Sequence, residues 1–144
     1  MASLTKQALT VAEKRYFLKD DDGKLDEDAK GLFKRVSDAI AEPEKQYGKL
    51  DVEKKLVASE FNEMLSSLDF VPNSPTLMNA GTQQGNLSAC FVLPLEDSME
   101  GIMKASHDAA MVQKFGGGTG FALSKLRPKG DRIKTTHGVS CGPI

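Results

Sequence analysis

Apolar residues recur at helical spacing through residues 1–69 and then give way to short runs broken by glycine and proline. Between Asp28 and Ala41, Leu32, Phe33, Val36, Ala39 and Ile40 fall at i, i+1, i+4, i+7 and i+8, a single stripe that predicts an amphipathic helix. A second helix is predicted over Asp51–Leu68, with Asp51 as its N-cap and Leu56, Val57, Phe61, Met64, Leu65 and Leu68 as its buried face. Thr5 to Arg15 reads as a shorter helix. Tyr16, Phe17 and Leu18 then read as extended chain before the turn Lys19-Asp20-Asp21-Asp22-Gly23. Its three aspartates lack the alternating ligands and closing Glu of a calcium loop, so the turn is read as solvated.

Residues 70–144 are punctuated differently: they hold most of the 13 glycines and all but one of the six prolines. Phe70-Val71-Pro72-Asn73-Ser74-Pro75-Thr76 is predicted to be extended, displaying hydroxyls and an amide. Ala89 to Leu93 is predicted as a buried strand stopped by Pro94. Asp97-Ser98 caps a helix that runs to about Phe115 and ends at Gly116. Its face of Met99, Ile102, Met103, Ala109, Ala110, Met111 and Val112 suits close packing on another helix, including one from a second subunit. A second strand is predicted over Phe121–Leu126, with Arg127 to Gly130 turning after it. The chain thus divides by character into a helical region, 1–69, and a strand-and-turn region, 70–144.

Composition narrows the function classes. The chain has 144 residues, 40% hydrophobic and 27% charged, enough for a packed core and unlike a disordered segment. Its net charge of −1 does not indicate nucleic-acid binding. No apolar run approaches the roughly 20 residues of a membrane span. The first residues lack the apolar core of a secretory leader. Two cysteines in such a chain point to thiols in a reducing compartment, the cytoplasm, rather than to a disulfide framework.

Cys90 has two readings, a small buried hydrophobe in a strand or a redox or nucleophilic thiol facing the polar loop around Ser74. A thiol hydrolase would need His107 or His137 as its base, and neither spacing defines a dyad. Gly116-Gly117-Gly118-Thr119-Gly120 lacks the Gly-Lys-Ser/Thr ending of a phosphate loop and follows a helix. It reads either as a helix cap with a sharp turn or as backbone that a ligand can approach closely. Arg127, Lys129, Arg132 and Lys134 make a basic loop, and Arg127 suits bidentate contact with phosphate. Cysteines, histidines and acids show no metal-ligand spacing.

Taken in order, Pro72-Asn73-Ser74-Pro75-Thr76, Leu87-Ser88-Ala89-Cys90-Phe91-Val92, Glu96-Asp97-Ser98, Gly116 to Gly120 and Leu126-Arg127-Pro128-Lys129-Gly130 resemble the N-terminal part of a ribonucleotide reductase large subunit. The likeness is greatest to the adenosylcobalamin-dependent, class II branch. Arg15-Tyr16-Phe17-Leu18-Lys19-Asp20 and Leu32-Phe33-Lys34-Arg35-Val36 resemble that branch's helical region, so the resemblance covers nearly the whole chain. It implies an α/β fold: an N-terminal helical region, then the first strands and helices of a ten-stranded α/β barrel, incomplete in this chain. It implies reduction of ribonucleotides to deoxyribonucleotides by thiyl-radical chemistry, with adenosylcobalamin as cofactor held mostly by residues outside this chain. Cys90 resembles one of the two cysteines that supply reducing equivalents. Ser74, Ala89, Cys90 and Gly118 resemble positions lining the substrate nucleotide. Asp97, Ser98, Met99 and Arg127, with Lys134 less clearly, resemble a site for a deoxynucleotide triphosphate effector near a dimer interface.

The radical-bearing cysteine, the second redox cysteine and the Asn and Glu that assist proton transfer in the family have no counterpart here, and Cys141 is read as structural or incidental. The expectation is a chain inactive by itself. Its implied partners are a polypeptide carrying the rest of the barrel, a second copy meeting the 97–115 helix and a thioredoxin-type reductant, with neither nucleic acid nor membrane among them. The alternative is a non-catalytic nucleotide-binding or regulatory module of the same descent.

Overall fold

The computed structural model describes residues 4–144. It comprises two compact units, Met1–Ser88 and Ala89–Ile144. In the first unit, α1 (Lys6–Arg15) starts where the Thr5 hydroxyl accepts a hydrogen bond from the Ala8 amide. The Lys19–Leu25 turn closes on one antiparallel bridge. The Asp20 carboxylate is used inside that turn, accepting from the amides of Asp22 and Lys24. Helix α2 (Ala29–Ala41) is capped by Asp28 and runs into a short 3-10 helix, Glu42–Tyr47. Helix α3 (Asp51–Ser67) follows and packs against α2. Lys54, and then Lys45, hold the Glu42 carboxyl below its ordinary pKa by hydrogen-bonding to it between these helices.

Three sequence expectations change here. The N-cap of α3 is Leu50, one residue earlier than Asp51, because Glu53 accepts a hydrogen bond from the Leu50 amide at 2.8 Å and fixes the first turn. Of the predicted buried face of α3, only Leu65 is fully buried. Leu56 is 60% exposed, and Met64 and Leu68 are 39% exposed each. The packed side instead centres on Ala58 and Leu65, since a small residue lets α2 approach. Phe61, Met64 and Leu65 line an open apolar groove with Val36, Ile40 and Phe70. The segment after Pro72 is helical, not extended: α4 spans Ser74–Asn79. Pro75 fits a first helical turn because its missing N–H has no intrahelical partner there, and the Asn73 side chain caps the helix by accepting from the Thr76 amide at 2.9 Å.

The core of this unit joins α1 through Ala12, the following residue Phe17, α2 through Leu32, Phe33 and Val36, α3 through Leu65, and α4 with its end through Leu77 and Ala80. A charged group is set beside it. Arg35 meets Glu27 at 2.8 Å, with side chains only 11% and 6% exposed. Its guanidinium also donates to the carbonyls of Ala80, Leu77 and Tyr16 at 2.6, 3.2 and 3.3 Å. Gly81 lies directly against it. A Cβ there would sit 2.9 Å from Arg35 Cγ, and the backbone already requires φ +73°. Replacing Arg35 with alanine should therefore destabilise the chain by about 3–5 kcal/mol, because it strands the Glu27 carboxylate without its partner. Urea unfolding should show the loss, and it should shrink when Glu27→Gln is added.

In the second unit, β1 (Cys90–Leu93), α5 (Met99–Lys114) and β2 (Gly118–Phe121) form a β-α-β unit with the strands parallel and α5 packed on both. The register pairs Cys90 with Gly118, Phe91 with Thr119, Val92 with Gly120 and Leu93 with Phe121. The Ser98 hydroxyl caps α5 by accepting from the Gly101 amide, as expected. The second strand lies earlier than predicted. The glycine cluster itself is the strand, and Leu123–Lys125 form a 3-10 turn in place of Phe121–Leu126. Residues without side chains still satisfy a backbone ladder, which is why apolar pattern missed them. Beyond Pro128 the chain doubles back on itself. The Gly130 amide donates to the Ser140 carbonyl, the Ser140 amide donates to the Asp131 carbonyl, and Arg132 is bridged to Val139.

Gly117 is the steric key to this packing: a Cβ would lie 2.6 Å from Val112 Cγ1 and 2.9 Å from the Phe91 ring. Gly117→Ala should cost about 1–3 kcal/mol through this overpacking, read as a lower urea midpoint, whereas Gly120→Ala, with nothing within 4 Å, should cost less.

Candidate functional site

Side chains alternate across a strand, and register partners in a parallel pair project to the same side. Phe91 lies on the side where Gly117 and Val112 of α5 pack. Cys90, Val92, Gly118 and Gly120 therefore share the opposite face. That face is bare: Cys90 is exposed and Val92 is 82% exposed. The sequence reading of a buried strand does not hold, because only one face of β1 is covered by a helix.

This face brings together two of the four predicted substrate positions, with Ala89 next to Cys90 in sequence. Cys90 and Gly118 are register partners. Ala89 is joined to them through its carbonyl, which accepts from the Gly118 amide at 2.7 Å. Neither glycine of the face is required by packing within the unit. A Cβ on Gly118 would meet only the Ala89 carbonyl at 3.5 Å, and one on Gly120 would meet nothing. Their absent side chains leave backbone uncovered beside a thiol, the arrangement that a ligand lying across the strands needs. His107 is exposed on α5, and His137 is exposed in the turn at φ 57°. Among the described residues neither is hydrogen-bonded to Cys90, so the dyad of a thiol hydrolase is not formed.

Ser74 belongs to the first unit. It opens α4, half-buried, with its hydroxyl 3.1 Å from the Tyr16 hydroxyl. The polar residues around it serve the chain: Asn73 and Thr76 donate to the Leu87 carbonyl and Asn79 donates to that of Asn86. Sequence reasoning treated Asn73 and Thr76 as display and did not find Tyr16, whose pairing spans 58 residues and leaves no local signal.

The predicted effector residues lie in the second unit. Arg127 is fixed by Asp97 through its Nε at 2.8 Å, its backbone amide at 3.3 Å, and Nη2 to the Asp97 carbonyl at 3.3 Å. Ser98 is taken up in capping α5, and Met99 is 69% exposed at the start of that helix. A polar cleft of about 330 Å³ is lined by Asp97, Arg127, Asp131, Arg132, Lys134 and Thr135. It joins Lys134 to the ion pair, while Ser98 and Met99 stand outside its lining. Lys129 is not part of it either. Among the described residues no group of three or more His, Cys, Asp or Glu side chains is placed to hold a metal ion. No helix among them is long and apolar enough to cross a membrane.

Comparison with known families divides the chain near the same place as its two compact units. Residues 2–85 match the all-alpha domain of ribonucleotide reductase, and residues 88–144 match its barrel domain. The chain belongs to the ribonucleotide reductase large-subunit family, with its helical region leading into the start of the barrel domain. It is 44% identical over 141 residues to a vitamin B12-dependent ribonucleoside-diphosphate reductase of Mycobacterium tuberculosis, covering 98% of this chain and 20% of the relative. A protein of the same description from Thermoplasma acidophilum is 38% identical, covering 98% of this chain and 25% of the relative. The ribonucleoside-diphosphate reductase subunit alpha of Bacillus subtilis is 33% identical over 81% of this chain and 16% of its own length. The chain thus spans between a fifth and a quarter of the two vitamin B12-dependent relatives.

Cys90 and Cys141 are both free and exposed. Both should react with a disulfide reagent in native buffer, giving two titrated thiols per chain without denaturant. Gly118→Val should slow Cys90 several-fold while leaving Cys141 unchanged, by setting a branched side chain beside the thiol.

Proposed function

We propose that this chain supplies part of the active centre of a ribonucleotide reductase, an oxidoreductase making deoxyribonucleotides in the cytoplasm for DNA replication. The observation that carries the reading is the pairing of Cys90 with Gly118 on the bare face of the parallel strands. In this reading Cys90 is a catalytic redox thiol. Together with a second cysteine outside this segment, it loses two protons and two electrons and becomes half of a disulfide. The ribonucleotide exchanges its 2′ C–OH for C–H, and the hydroxyl leaves as water. A thioredoxin-type reductant returns the disulfide to thiols. Ala89 and Gly118 offer backbone to the nucleotide, and Ser74 offers its hydroxyl.

The cofactor is adenosylcobalamin, as the names of the relatives from M. tuberculosis and T. acidophilum suggest. The described residues do not make its site: the groove of about 410 Å³ beside Lys30, Lys34 and Lys55 and the cleft beside Asp97 are lined mainly by charged and hydroxyl or amide side chains, and the apolar groove beside Phe61 is about 470 Å³ and open. Most of the length of those two relatives lies outside the matched segment. A second copy meets α5 and its C-cap, where Met99, Met103, Met111 and Phe115 are 69, 62, 43 and 41% exposed, and a deoxynucleotide triphosphate occupies the Arg127 cleft.

A complete reductase carrying this segment should reduce ribonucleotides, and Cys90→Ser should abolish multiple turnover. Multiple turnover by that variant would disprove the role of Cys90. The regulatory alternative draws on the Asp97–Arg127 pair, which is assembled within this chain. It predicts that the chain alone binds a deoxynucleotide triphosphate, with affinity falling about tenfold or more in Arg127→Ala through loss of a charged hydrogen-bonding group. Calorimetry distinguishes the two, since an assembly-dependent site gives no heat of binding in the free chain.

A further inference from the structure

The Tyr16 hydroxyl lies 3.1 Å from the Ser74 hydroxyl, and we propose that Tyr16 is a positioning residue that fixes the Ser74 proton for the substrate, an inference that rests on the reading of Ser74 as a substrate contact. Both side chains are half-buried, and this is the one hydrogen bond the Ser74 hydroxyl makes among the described residues. A serine hydroxyl has one proton and two lone pairs and rotates freely unless held. Either hydroxyl can donate across this distance; a phenol is the better donor of the two, and in the proposed arrangement it donates and the serine oxygen accepts. The Ser74 proton is then left for an acceptor outside the protein, such as an oxygen of a ribonucleoside diphosphate.

Tyr16 is suited to hold this geometry. It follows the last residue of α1, its amide donates to the Ala12 carbonyl at 2.8 Å, and its own carbonyl accepts from Arg35. Its ring packs against the core of the first unit, and the Arg15 guanidinium lies 5.9 Å from the ring centre. The phenol oxygen is therefore anchored from the backbone and from the ring. Ser74 is held in turn by a helix whose cap and first-turn proline fix its backbone.

The test is steady-state reduction of a ribonucleoside diphosphate by the complete reductase carrying this segment. Tyr16→Phe keeps the ring and should raise KM about threefold to tenfold, the loss of one neutral hydrogen bond, with kcat unchanged. Ser74→Ala should raise KM at least as much, and the double variant should match Ser74→Ala alone. A double variant in which the two effects multiply would overturn the proposal. So would a normal KM in Tyr16→Phe beside a raised KM in Ser74→Ala, which would leave the substrate role of Ser74 standing. A normal KM in Ser74→Ala would remove both. Should Tyr16→Phe fold poorly, a fluorinated tyrosine at position 16 keeps size and shape while making the phenol more acidic. As a stronger hydrogen-bond donor it should shift KM with kcat unchanged, and an unmoved KM would sink the proposal.

Discussion

The buried Arg35–Glu27 pair is the constraint around which the first unit is built. A guanidinium beside an apolar core is costly unless its N–H groups are satisfied. Here they reach one carboxylate and three backbone carbonyls, those of Tyr16, Leu77 and Ala80. Those carbonyls sit at the ends of α1 and α4, where helices leave acceptors without intrahelical partners. One side chain therefore ties the ends of two helices to the middle of α2. The Glu27 carboxylate adds the Leu18 amide to the same knot. Gly81 follows from this arrangement, because any side chain there would displace Arg35.

The same knot bears on chemistry. Tyr16 gives its carbonyl to Arg35 and its hydroxyl to Ser74, so the orientation of the Ser74 hydroxyl depends on how the helix ends are held. In the second unit the governing constraint is steric. Gly117 lets Phe91 and Val112 close the helix-covered side of the strands. With that side closed by large residues, the other side of the same strands is left with a thiol, a valine and two glycines. Packing on one face thus defines a ligand face on the other.

Much of this was legible in residues taken singly or at short range. Ser98 caps a helix where its sequence context says it should. The stripe from Leu32 to Val36 is buried, and the motifs around Cys90 and Arg127 carried the family. Other features were not legible because they rest on long-range partners. The apolar periodicity of α3 gave Leu56 and Met64 the same weight as Leu65, yet a helix buries only what its neighbour covers. Gly118 to Phe121 form a strand through hydrogen bonds to β1, which apolar pattern cannot report. Asn73 and Pro75 favour a helical turn over extended chain once the Thr76 amide finds its acceptor.

Sequence by itself determined the helices with strong caps and stripes, the absence of a membrane-length apolar run, and membership of the reductase family through ordered motifs. Those are properties of local chemistry and of spacing along the chain. Tertiary structure alone decided that Cys90 is exposed rather than buried, that it stands opposite Gly118, and that Arg127 is held by Asp97. It also decided that Ser74 is held by Tyr16. Each depends on register or on a contact between residues far apart in sequence, and nothing in a residue's immediate neighbours records either.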